Sequence, residues 1–177
     1  MNNKITVLIV LALMAAPFGV AGDAFKVSFP GTSEAPDPSG RYSIIWVDSK
    51  PHDLFFKNLK TDKRRHLFTF NRHLDVLWSP DGNAFAITDW GGSDYSEVLV
   101  YSPASLNKPI NLQEVLKRSF GSLPEVQKNH HVYFEALDWS VPWLLRFKIH
   151  GYGDYSPGGF DLFFNYKLKE NKVSKIE

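Results

Sequence analysis

Cysteine is absent from the 177 residues, which removes disulfides, thiolate metal sites and cysteine nucleophiles together. Lipid attachment through an N-terminal cysteine goes with them. An excess charge of one sign is missing too: 20 Lys and Arg stand against 19 Asp and Glu. No global field draws such a chain to nucleic acid or to an anionic membrane. There is no Gly-x-Ser-x-Gly elbow, no His-Glu-x-x-His and no glycine-rich phosphate loop, so neither a catalytic residue nor a cofactor is expected. The extended apolar run, residues 5–16, is shorter than the roughly 20 residues that span a bilayer as a helix. It follows Lys4 and precedes Pro17, with the small residues Ala21 and Gly22 beyond. That layout is a secretory signal peptide over residues 1–22. The expected product is an exported single domain, residues 23–177, lodged in the periplasm of a two-membrane bacterium and secreted otherwise.

What the chain has in quantity is aromatic residues, 15% of the total with five Trp. Without disulfides, stability rests on their packing. The stretch Trp78-Ser79-Pro80-Asp81-Gly82-Asn83 is a turn signal between the apolar Val76 and Leu77 and an alternating strand over residues 84–88. Asp37-Pro38-Ser39-Gly40 is a degenerate copy. Gly40 and Gly82 stand 42 positions apart; Trp78 and Trp139 stand 61 apart, and removing the 19-residue stretch 111–129 restores 42. The segments 52–56, 96–100 and 160–164 occupy one place in their units. A period near 42 is that of a propeller blade. Trp78, the Ser-Pro-Asp-Gly turn and the small-apolar strand after it resemble the hairpin of TolB-like, WD-repeat-like β-propeller repeats.

The expected fold is therefore all-β: three antiparallel four-stranded meanders over about 37–70, 73–110 and 130–177, with a helical insertion over 111–129 announced by Asn111 and the helical spacing of Leu112, Val115 and Leu116. Residues 30–40 read as a loop, and residues 131–137 as a strand, followed by Asp138-Trp139-Ser140 and a further strand over 143–149. A two-sheet β-sandwich is the alternative. Three units do not close a propeller, which takes 4 to 8 blades. Either the ends of the array are capped, or two chains pair as a homodimer that completes six blades.

One motif recurs inside the repeat. Gly91-Gly92-Ser93-Asp94-Tyr95-Ser96 and Gly151-Tyr152-Gly153-Asp154-Tyr155-Ser156 each lie between the second and third strands of a unit, so in a blade array both project from one rim. Glycine frees the backbone, Asp offers a charged acceptor and Tyr a flat amphipathic face. Trp90, Asp94, Tyr95, Tyr152, Asp154 and Tyr155 are thus the candidate contact residues for another protein. The competing use of the same residues is to close the loop and lid the core edge. A non-enzymatic binding module follows, of which an inhibitor or immunity-type protein of the cell envelope is one form. The alternative is a protein that binds or processes carbohydrate through these acidic-aromatic loops. No metal site is expected: His130 and His131 are adjacent, and on a strand they face opposite ways.

Overall fold

The structure, a computed structural model, describes residues 26–176; the expected signal peptide lies outside the described residues. Thirteen strands and two short helices follow in order: β1 (Lys26–Phe29), β2 (Glu34–Pro36), β3 (Tyr42–Val47), β4 (His52–Asn58), β5 (Arg64–Phe70), β6 (Leu74–Trp78), β7 (Phe85–Asp89), β8 (Glu97–Tyr101), β9 (Ile110–Asn111), α1 (Leu112–Phe120), α2 (Pro124–Gln127), β10 (His131–Val141), β11 (Leu144–Tyr152), β12 (Phe160–Lys167) and β13 (Lys172–Lys175). They form three antiparallel sheets, ordered β2-β3-β4-β5, β1-β6-β7-β8-β9 and β10-β11-β12-β13. The fold is all-β with a helical insertion, as the sequence predicts, and its three sheets set aside the two-sheet sandwich.

The middle sheet is covered on both faces. Leu74, Val76, Trp78, Phe85, Ile87 and Tyr101 pack toward the first sheet, with Ile44, Leu54 and Phe56. Leu77, Ala86, Val98 and Val100 face the third, with Phe134, Trp139 and Phe147. A sheet covered on both faces has no polar face to alternate with. The small side chains on one face of β7 admit the rings of the third sheet. Leu112, Val115 and Leu116 of α1 join that second core. Asn111 caps the helix, its side chain accepting from the amides of Gln113 and Glu114, which satisfies two of the orphan donors at a helix start.

The two turn motifs adopt one geometry. Asp37 and Ser79 each donate a backbone N–H five residues ahead, to Tyr42 and Ala84, at 2.9 Å in both cases. Their side chains accept in return from the amides of those residues, at 2.6 and 2.9 Å. Gly40 and Gly82 close the turns at φ +69° and +66°, a region where a Cβ costs roughly 1–2 kcal/mol. The two core tryptophans also repeat: the Trp78 indole donates to the Ala35 carbonyl at 3.0 Å and that of Trp139 to Leu77 at 3.1 Å. Each ties its sheet to the sheet before, Trp78 to β2 and Trp139 to β6.

Three local expectations are corrected. Residues 34–36, read as loop, form β2, because their backbone pairs with β3. Asp138 to Ser140 do not end the strand over 131–137: β10 runs through them to Val141 with a bulge after Ala136. The extra residue turns Asp138 to the outer face, where both its carboxylate oxygens meet Arg146 of β11. Finally β11 extends through Gly151 to Tyr152, which shortens the loop after it to 153–159.

Candidate functional site

The loops 90–96 and 153–159 connect β7 to β8 and β11 to β12. Both grip the chain just before and at the start of β10. From the first loop, the Asp94 carbonyl accepts from the Val132 amide at 3.0 Å, Tyr95 bridges to Val132, and the buried Ser96 hydroxyl donates to the Phe134 carbonyl at 2.8 Å. From the second, the Ser156 amide donates to the Asn129 side-chain oxygen at 2.9 Å, and the Asn129 amide group donates to the Ser156 hydroxyl at 3.1 Å. The His130 ring meets Asp154 at 2.9 Å. Residues 129–132 are therefore the shared stem of the two loops.

The glycines work by close approach. A Cβ on Gly92 would fall 2.5 Å from the Tyr95 ring, and one on Gly153 would fall 2.7 Å from the His130 amide nitrogen, both closer than atoms pack. What each loop leaves outward is its Asp-Tyr pair. Tyr95 is 51% exposed and Tyr155 is 50% exposed; the Lys128 ammonium sits over the Tyr155 ring, 5.1 Å from its centre. Beside Asp94 and Tyr95 opens a groove of about 420 Å³, with Leu116, Leu123, Val126 and Phe134 among its apolar lining and Lys117 and His130 among its polar lining. Asp94, Tyr95, Asp154 and Tyr155 are thus brought to one rim, on either side of the stem.

Trp90 and Tyr152 belong to a different cluster. The Trp90 ring is partly buried, stacked on His73 at 5.5 Å, with its indole N–H donating to Asp75 at 3.0 Å. It lies 6.3 Å from Tyr133 and 6.4 Å from His150. Tyr152 stacks on His131 at 4.3 Å, and Tyr133 is 5.3 Å from His150. The cluster covers the outer face of the third sheet, where the register sets Tyr133 beside His150 and His150 beside Asp161. Sequence reading missed Tyr133, His131 and His150. Their signal was the alternation of residues 131, 133 and 135 opposite the apolar 134 and 136, and what it lacked was the cross-strand register that sets Tyr133 beside His150.

Charges knit β1 to this region. Lys26 donates to Glu135 at 2.9 Å and approaches Asp75 at 3.6 Å, while Lys148 pairs with Glu135 at 3.2 Å. Burial works to raise the Glu135 pKa, but the hydrogen bonds and charges of Lys26 and Lys148 prevail and hold it below the usual carboxylate range. Asp89 has no such partner. Burial, with the Glu97 charge opposite, pushes its pKa up to about 6, and one of its oxygens is buried without a hydrogen bond. Between pH of about 4 and 6 the folded chain holds a proton that the unfolded chain has released, so this group lowers stability as pH rises across that window, and the loss persists above it. Asp89→Asn is accordingly expected to raise the urea midpoint at pH 7. The gap to the wild type should close on going below pH of about 4, and an equal gap at both ends would refute the assignment.

Among the described residues, no helix is long and apolar enough to cross a membrane, and no group of three or more His, Asp or Glu side chains is placed to hold a metal ion. No family model matches the sequence, and no curated protein matches it. Among solved structures, the crystal structure of TolB from Acinetobacter baumannii aligns with 15% identity and a TM-score of 0.45, over 81% of this chain and 31% of that one. The chain spans about a third of the length of that protein.

Proposed function

We propose that this chain is an exported, non-enzymatic binding module that engages another protein through the rim carrying Asp94, Tyr95, Asp154 and Tyr155. The observation that carries the reading is the construction of that rim. Two half-exposed tyrosines and two carboxylates sit on loops whose backbones are pinned to one stem. Contact residues held this rigidly lose little entropy on binding, and Tyr is among the residues that most often dominate an interface. The neighbouring groove, lined by both apolar and polar side chains, has the mixed lining of a protein contact. The partner surface that suits it offers basic groups to the two carboxylates and an apolar side chain to the groove. An inhibitor or immunity-type role in the cell envelope is the form of this function that needs no chemistry from the chain itself.

The test is capture of envelope and secreted proteins on tagged protein starting near Asp23, quantified against the double variants Tyr95→Ala/Tyr155→Ala and Asp94→Ala/Asp154→Ala. One dominant partner is expected, with retention cut tenfold or more by the tyrosine pair, since a loss of about 1.4 kcal/mol is tenfold. Melting temperatures should barely move, because the side chains removed are exposed. A partner held equally well by both variants, or lost only in step with stability, would overturn the rim assignment.

A further inference from the structure

Beside the rim, and joined to it where the Tyr133 hydroxyl donates to the Ser93 carbonyl at 2.6 Å, the outer face of the third sheet carries a cleft of about 530 Å³, within the range of small-ligand sites. Tyr133, His150, Tyr152, Asp161 and the pair Gly158-Gly159 line it. We propose that this cleft binds a neutral saccharide, taking one pyranose ring against the free face of Tyr152.

The geometry supplies the three things a sugar ring requires. The first is a flat apolar platform for its C–H face. Tyr152 lies parallel to His131, 19° between planes and 4.3 Å apart, yet stays 50% exposed, so one face is braced and the other is open. The second is acceptors for hydroxyl protons. Asp161 is exposed and has neither an ion pair nor a hydrogen bond among the described residues, and it neighbours His150 across the strands. The third is close access to main-chain groups. Nothing lies within 4 Å of where a Cβ on Gly158 would be, and Gly159, at φ +85°, has only the Gly151 carbonyl near, at 3.4 Å. Two side-chain-free residues leave the backbone edge of the cleft bare.

The charges set aside an anionic ligand. Burial holds the His150 pKa below its usual value; the Lys148 charge pushes the same way, and Glu135 and Asp161 push the opposite way. Glu135 is already shared by two lysines. A phosphate would therefore meet the free Asp161 carboxylate of the lining, while Lys148, paired with Glu135 at 3.2 Å, stands outside it. The Tyr152 hydroxyl and the His150 ring, whose Nε2 has no hydrogen bond, are partners that suit polyols without asking for charge.

The experiment is a nitrogen-proton NMR titration of the intact protein with maltose, cellobiose, lactose and chitobiose, with choline chloride and inorganic phosphate as ionic probes. At least one disaccharide is expected to shift the amides of Gly151, Gly158 and Gly159 saturably, with Kd on the order of 1 mM, while Asp94 and Asp154 stay fixed. Tyr152→Ala should weaken that binding tenfold or more with an unchanged spectrum elsewhere, and Tyr95→Ala should leave it intact. No saturable shift from any disaccharide at ten times that concentration would overturn the proposal. So would tighter binding of choline or phosphate at the same amides, or saccharide binding that Tyr152→Ala leaves unaltered. Because the rim variants and the cleft variants are disjoint, failure here leaves the protein-binding reading standing, and the converse holds.

Discussion

Replacing Trp78 by Ala is expected to cost about 3–5 kcal/mol, a large part of the roughly 5–15 kcal/mol that holds a domain folded. Trp78 is 1% exposed and fills the space between the first and second sheets. Its ring packs on Phe85 at 4.7 Å, and Phe85 stacks in turn on Tyr101 at 5.1 Å. Those rings sit on rigid strands and close poorly around a cavity, so the upper part of the range applies. Truncation also removes the indole hydrogen bond to the Ala35 carbonyl, which links the two sheets. Since 1 kcal/mol shifts the melting temperature of a domain this size by about 2–4 °C, a fall of roughly 10 °C or more is expected, together with a lower urea midpoint. A loss under about 1 kcal/mol would mean that the two sheets do not depend on this residue for their contact.

Two further tryptophans calibrate that result. Trp139 repeats the arrangement one sheet along, 3% exposed and donating to Leu77, so its truncation should cost nearly as much. Trp46 also donates to a carbonyl, that of Thr32 at 2.6 Å, but its ring is only partly buried and meets His52 edge-on at 5.0 Å. Its loss should be clearly the mildest of the three. The ordering follows from burial, because all three indoles keep one hydrogen bond.

This contrast also marks what was legible in the sequence. Trp78 and the Pro-Asp-Gly turn could be read because their structural demands are local. A positive φ at Gly82 and a side chain that accepts from an amide five residues on are chemistry carried by neighbouring residues. Strand β2 could not be read, since Glu34, Ala35 and Pro36 show no alternation and become a strand only through the pairing with β3. The same holds for β1, whose apolar residues suggest a strand but whose place beside β6 is set by partners about 50 residues away, Lys26 facing Leu77 and Phe29 facing Leu74. The bulge in β10 hid the continuation of the strand past residue 137, because it breaks the period-2 pattern on which strand reading depends.

The candidate site was legible in the same partial way. The duplicated Gly-Asp-Tyr-Ser pattern placed Asp94, Tyr95, Asp154 and Tyr155 on one rim because equal positions in equal units project alike. The stem between the loops was not read, for Asn129 and His130 act only through contacts made on folding. Trp90 and Tyr152 come from the same stretches of sequence yet belong to the sheet face. Tyr152 is the last residue of β11 rather than part of the loop, and alternation along the strand sends it to the outer side with His150.

Gly151 is where strand and loop meet, and Gly151→Ala is expected to be the most disruptive single-methyl change in the third sheet. A Cβ there would lie 1.9 Å from the His131 carbonyl oxygen and 2.9 Å from its carbon. Backbone atoms in a paired strand cannot rotate aside as a side chain would, so β10 and β11 must separate locally. Overpacking commonly costs about 1–3 kcal/mol and more where the obstacle is rigid; about 3 kcal/mol or more is expected here. The damage has a predicted location. Gly151 pairs with Val132, and Val132 is the residue that the Asp94 carbonyl holds, so opening this register loosens the stem of both loops. Hydrogen exchange should quicken at residues 129–134 and 150–156 while β6 and β7 keep their protection. Gly158→Ala, seven residues on with open space around the new methyl, should move stability by no more than about 0.5 kcal/mol. If Gly151→Ala were as mild, the close approach of the two strands would be wrong. If instead protection fell evenly across all three sheets, the stem would be part of one cooperative unit and the two loops could not loosen apart from the rest of the fold.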